Sequence, residues 1–213
     1  MLHSFPRALP FLNPSKTFGR LIHTRKRVDP TMISDQISLA DFFRFTRGRF
    51  LSDEPHHISQ TTVKFKLDEL ERLAVDSAAT HSKGPLECVK IEKLPDGMHN
   101  KAIRFTMNNG VQVVGKIPNP NAGKAHFTTA SEVATMDFLR NVLKIPIPHV
   151  LAWSSTSKND VGAEYILMEN VPGVPLSKLW DQLEVGAKFR IVQSIATYQE
   201  MWLNISFSHY GSL

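Results

Sequence analysis

The spacing of hydrophobic positions changes near Glu87, and that change divides the chain. Upstream the spacing is helical. From Lys66 to Ala79, Leu67, Leu70, Leu73 and Ala74 share one side of a predicted helix, and Gly84-Pro85 punctuates the chain after it. Before that helix, Ser38-Leu39-Ala40-Asp41 opens the segment LADFFRFTRGRFL. Its Phe42, Phe43, Phe45 and Phe50 predict an aromatic-rich arm packed on the domain, with a short amphipathic helix against a partner or membrane as the alternative.

Downstream of Glu87 the period becomes two. CVKIEKL, AIRFTM and VQVVGKI predict three antiparallel strands, joined by Pro95-Asp96-Gly97 and by the hairpin signal Asn108-Asn109-Gly110. A helix from about Ser131 to Lys144 follows, announced by Thr129 and Glu132. HVLAWSS, set off by Pro146 and Pro148, and AEYILMEN, preceded by Lys158-Asn159-Asp160, complete five strands. Val171-Pro172-Gly173 breaks the last of them. Helices are predicted around Leu176 to Leu183 and from about Ala187 to Asn204, the second with Ile191, Ile195, Tyr198 and Trp202 on one face.

The predicted class is α+β. The domain reading places a leader at 1–35, the arm and first helix at 36–86, a five-stranded antiparallel lobe with one helix at 87–171, and the first helices of a second lobe at 172–213. With 213 residues there is room for one domain or one and a half small ones. No repeats or low-complexity segments interrupt this plan.

Charge alters the picture at one end only. The chain carries 25 basic and 20 acidic residues, but Arg7, Lys16, Arg20, Arg25, Lys26 and Arg27 lie in a stretch with no acid before Asp29. Removing those six leaves 19 basic against 20 acidic residues, so the basicity belongs to the leader. A nucleic-acid-binding face is therefore not expected. Arg-rich and acid-free, with Ser4, Ser15, Thr17 and Thr24 interspersed, the leader has the composition of a mitochondrial transit peptide. No apolar run approaches the roughly 20 residues that span a bilayer. The single cysteine, Cys88, excludes an internal disulfide, and no histidine spacing matches a metal motif.

Three places carry candidate chemistry. Lys116 closes the third strand, where a long cation can reach over a cleft toward phosphate oxygens, although a strand lysine is also an ordinary solvated charge. Glu132 follows 16 positions later and admits two readings: partner of Lys116 across the cleft, or last residue of a Thr129-Ala130-Ser131-Glu132 capping box. The turn Leu94 to Lys101 sits where a phosphate-covering loop belongs, with Gly97 its only glycine and Asn100 near its end, so any backbone phosphate nest is minimal. Met168 to Val171 ends the fifth strand and offers backbone groups of the kind an adenine edge needs.

Taken together, FFRFTRGRFLSDE, CVKIEKLPDGMHNKAIRFTMNNG, VVGKIPNP, TTASEVATMDFLR, IPIPHVLAWSS, VGAEYILMENVPGVPL and FSHYGSL resemble the fungal aminoglycoside-phosphotransferase-like (kinase-like) proteins of the type named altered inheritance of mitochondria protein nine. The resemblance runs from about Asp41 to Leu213. It implies a protein-kinase-like small lobe followed by an incomplete large lobe, and mitochondrial association. Its cofactor implication is weak ATP binding through Lys116, Glu132, Gly97, Asn100, and Glu169 to Val171 as the adenine hinge. Met98 and His99 replace the small residues usual in the family's phosphate loop. The aspartate base and magnesium ligands of a phosphotransferase would lie beyond the long helix. This polypeptide is therefore expected to be inactive alone and to use magnesium only with a complete second lobe, and its phosphate acceptor stays unassigned. A non-catalytic interaction protein, docking a partner through the small lobe and the last helix, is the other expectation.

Overall fold

The computed structural model describes residues 38–80, 84–211 and 213, so the leader at 1–35 lies outside the described residues. The described chain is α+β, with a five-stranded antiparallel sheet and four α-helices. In chain order these are α1 (Glu54–Gln60), α2 (Leu67–Ala79), β1 (Cys88–Lys93), β2 (Asn100–Met107), β3 (Gln112–Pro118), α3 (Phe127–Asp137), β4 (Val150–Ser154), β5 (Tyr165–Glu169) and α4 (Val185–Leu203). The strands lie in the order β1-β2-β3-β5-β4, so the late hairpin inserts β5 beside β3.

The strand pleat decides which face each side chain takes. Along β2, Lys101, Ile103, Phe105 and Met107 are buried and alternate with half-exposed neighbours; along β3, Val113, Gly115 and Ile117 do the same. That face meets α2, whose Leu70 and Ala74 are fully buried. A side chain at Gly115 would stand 3.1 Å from Phe105 and 3.3 Å from Leu70 and Leu167, so the helix approaches the sheet over a position without a Cβ. Phe42 of the arm is fully buried in the same cluster, and Phe43 meets Phe65 edge-on at 5.1 Å. Arm, α2 and sheet thus share one apolar core. Cys88 is buried in it, and burial, helped by the charge of Glu71, raises its thiol to about 11, which leaves it unreactive.

Lys116 has the opposite parity, so it projects from the other face of β3, toward α3. The sheet is therefore covered by apolar packing on one side and carries the candidate chemistry on the other.

Two sequence expectations are corrected, and one helix is added. The helix predicted from Ser131 begins a turn earlier, at Phe127, and gives way at Phe138–Val142 to a single π-helical turn. The helix predicted over Leu176 to Leu183 is two 3-10 turns, Leu176–Lys178 and Trp180–Gln182. That segment buries no residue, and a short helix without a packing face does not offset the entropy of its own nucleation. Helix α1 was not expected, because EPHHISQ has no apolar period and buries nothing.

Candidate functional site

Lys116 Nζ contacts Glu132 Oε1, an ion pair that joins β3 to α3. Both groups are partly exposed, with 20% and 34% of their side-chain surface accessible, so the pair lies at the surface rather than in the core. Exposure of this degree leaves the pair modest in stability and open to exchange partners. Its capping alternative does not hold. Thr129 lies inside α3 rather than at its N-cap, which is His126, and Glu132 is consequently not the third residue of a box.

What starts α3 instead is Glu164, a residue that no pattern in the sequence singles out. Its Oε1 accepts the His126 N–H at 2.7 Å and its Oε2 accepts the Thr129 hydroxyl at 2.5 Å. His126, with φ +69, also places its Nδ1 2.8 Å from the Ser155 hydroxyl. A carboxylate at the helix N-terminus satisfies donors that no helical carbonyl can reach and complements the helix dipole. Because α3 carries Glu132, Glu164 sets where that carboxylate stands. Glu164→Ala is expected to cost about 1–2 kcal/mol in urea denaturation, with faster amide exchange confined to the first turn of α3.

The turn between β1 and β2 is held by contacts invisible in its glycine content. The Met98 carbonyl accepts from Asn119 Nδ2 at 3.3 Å and Asn121 Nδ2 at 3.1 Å, and the His99 carbonyl accepts the Asn119 N–H at 2.8 Å. Asn100 opens β2 and pairs with Pro118 rather than standing free in the loop. Gly97 is not left-handed, and a Cβ there would meet only the Asn100 carbonyl at 3.7 Å, an ordinary contact. Glycine freedom is therefore not what shapes this turn. Beneath it lies a buried charge cluster of Lys93, Asp96 and Lys101, also unforeseen.

At the end of β5, the Glu169 carboxylate accepts the His149 N–H at 2.9 Å and Arg140 at 3.1 Å, which ties the strand end to the π turn. The β3–β5 ladder runs from Val113–Glu169 to Lys116–Ile166, so Val171, 57% exposed, stands beyond it. Three residues of strand separate Ile166, the neighbour of Lys116, from Glu169, roughly 10 Å.

No family model matches the chain. A Subtelomeric hrmA-associated cluster protein of Aspergillus fumigatus is 51% identical over 126 residues, which is 59% of this chain and 25% of that protein. Proteins named Altered inheritance of mitochondria protein 9, mitochondrial, match as well. The one from Candida tropicalis is 33% identical over 131 residues, 58% of this chain and 21% of its own length. The one from Debaryomyces hansenii is 26% identical over 247 residues, covering 93% of this chain and 39% of its own length. The chain thus spans between about a fifth and two fifths of the relatives it matches. These names support the likeness to the mitochondrial-inheritance type and a mitochondrial localisation. Among the described residues, no helix is long and apolar enough to cross a membrane.

Proposed function

We propose that the chain forms the nucleotide-holding, kinase-like small lobe of a mitochondrial ATP-dependent phosphotransferase. The observation that carries this reading is the Lys116–Glu132 pair. A partly exposed strand lysine held by a helix carboxylate is positioned to take the phosphates of a nucleotide, while Glu132 keeps its ammonium oriented between encounters. Val171, one strand away and past the end of the ladder, supplies the backbone edge for the adenine, since the Glu169 and Asn170 N–H groups already donate to the His149 and Gln112 carbonyls. The transfer step needs an aspartate base and metal-binding side chains, which the resemblance places after the long helix. The pair offers magnesium only Glu132, whose carboxylate Lys116 already engages, so no step is assigned to the metal.

The test is ATP binding by calorimetry on this 213-residue chain. Lys116→Ala is expected to weaken ATP about tenfold, the equivalent of one charge-assisted contact, and to leave adenosine affinity unchanged. Equal ATP affinity in the wild type and the variant would overturn the assignment.

One observation favours a second reading, a protein-docking role. Helix α4 has 19 residues and buries none, while Phe189, Val192, Ile195, Trp202 and Leu203 are each at least half exposed. Apolar surface of that extent marks an interaction site. Replacing Ile195 and Trp202 with lysine is expected to reduce association of the chain in light scattering without altering ATP affinity. Association that persists in the double variant removes the support for this reading.

A further inference from the structure

The β1–β2 turn is the element that would lie over a nucleotide's phosphates, and an aspartate there is at first sight misplaced, since its charge repels them. The structure resolves the conflict by turning Asp96 inward. It is 1% exposed, and its Oδ2 accepts Lys93 Nζ at 2.6 Å, the Thr46 N–H at 2.8 Å and the Thr46 hydroxyl at 2.9 Å. Lys93 Nζ also donates to the Arg44 carbonyl at 2.8 Å and to Thr46 Oγ1 at 3.0 Å. Lys101 Nζ stands 3.9 Å from Asp96 Oδ1 and donates to the Thr61 carbonyl at 2.7 Å. Arg47 reaches the Asp96 carbonyl at 3.5 Å.

Two consequences follow from this arrangement. With both lysines protonated, two ammonium groups against one carboxylate leave a net positive charge beneath the turn, so the buried aspartate does not oppose an anionic ligand above it. The turn is also fixed from two sides, by Asn119 and Asn121 at Met98 and by the arm at Asp96.

We infer that residues 44–47 of the arm form a strap that holds the phosphate-covering turn through Asp96, which makes Thr46 and Lys93 positioning residues for the phosphates of a nucleotide. The inference rests on the nucleotide reading above, and its ligand is the polyphosphate rather than the base. Thr46 suits the role because it is exposed, outside the core, and spends both its N–H and its hydroxyl on one carboxylate.

The experiment uses the full chain carrying Thr46→Val, Thr46→Ser or Lys93→Met. Amide hydrogen exchange is followed at Gly97 to His99 and across β3, and affinities for ATP and adenosine are measured in parallel. Thr46→Val is expected to raise exchange at the turn at least about fivefold, because the hydroxyl's bond to Asp96 and its bond from Lys93 are both lost, with β3 unchanged. ATP should weaken by a similar factor while adenosine does not, and Thr46→Ser should restore both. Unchanged exchange at the turn overturns the strap, as does an equal rise throughout β3 or an equal loss of ATP and adenosine affinity. A wild-type chain that binds no ATP, yet whose turn loosens in Thr46→Val, upholds the strap as an anchor and removes the nucleotide reading.

Discussion

Asp96→Ala is expected to lower the stability of the chain by about 3–5 kcal/mol, the cost of stranding a buried charge. The carboxylate is the only acid in its cluster. Without it, the Lys93 ammonium, whose side chain is 3% exposed, keeps only the Arg44 carbonyl and the Thr46 hydroxyl. Lys101, fully buried, loses its counter-charge, and the Thr46 N–H loses its acceptor. Electrostatics rather than packing should dominate, and two results separate them. Asp96→Asn keeps the shape but not the charge, so it should cost more than half as much as alanine. The deficit should also shrink between pH 7 and pH 10, because Lys101, whose ammonium burial already drives down to about 8, escapes its penalty by losing a proton. Chemical denaturation across that range reads both. An asparagine variant as stable as the wild type would place the effect in packing instead.

The sequence made the sheet legible and the cluster beneath its first turn much less so, for one physical reason. Strand alternation is a local signal, and Ile103, Phe105 and Met107 announce the inner face of β2 without reference to any other segment. The same alternation carries Lys101 inside, so the buried lysine could have been read from its parity with Ile103. Its partners could not, since Asp96 looked like an ordinary Pro-Asp-Gly turn residue and Thr61 and Thr46 are distant in the chain. Lys116 and Glu132 were legible as a pair because strand and helix periods each placed one of them. Which of Glu132's two readings held was decided by Glu164, which takes over the start of α3 from its position just before β5. Capping by a residue 38 positions away leaves no trace in the helix's own sequence. At the C-terminal end the apolar spacing of Leu176 to Leu183 was present, but no surface met it, and two 3-10 turns formed in place of a helix.

Lys101→Met is expected to stabilise the protein at pH 7, and the reason sets its pH signature. Burial drives the Lys101 ammonium down from 10.5 to about 8; the charge of Asp96 opposes the fall and that of Lys93 adds to it. The folded state therefore gives up this proton near pH 8, whereas the unfolded chain holds it to about 10.5. Between those limits the unfolded state binds more protons, so stability rises with pH. Below pH 8 both states are charged and the full penalty is present. A change from 10.5 to about 8, at 1.4 kcal/mol per tenfold, makes that penalty about 3 kcal/mol. Methionine removes it while filling a similar volume, but leaves the Thr61 carbonyl without its donor, which returns about 1 kcal/mol. The net gain at pH 7 should be about 2 kcal/mol, and the gap between variant and wild type should close as the pH passes from 8 to 10.5. Denaturation midpoints for the two proteins at pH 7, 8, 9 and 10 measure that gap directly. If it stays constant with pH, Lys101 holds its proton in the folded protein as firmly as in the unfolded chain, and its burial carries no charge penalty.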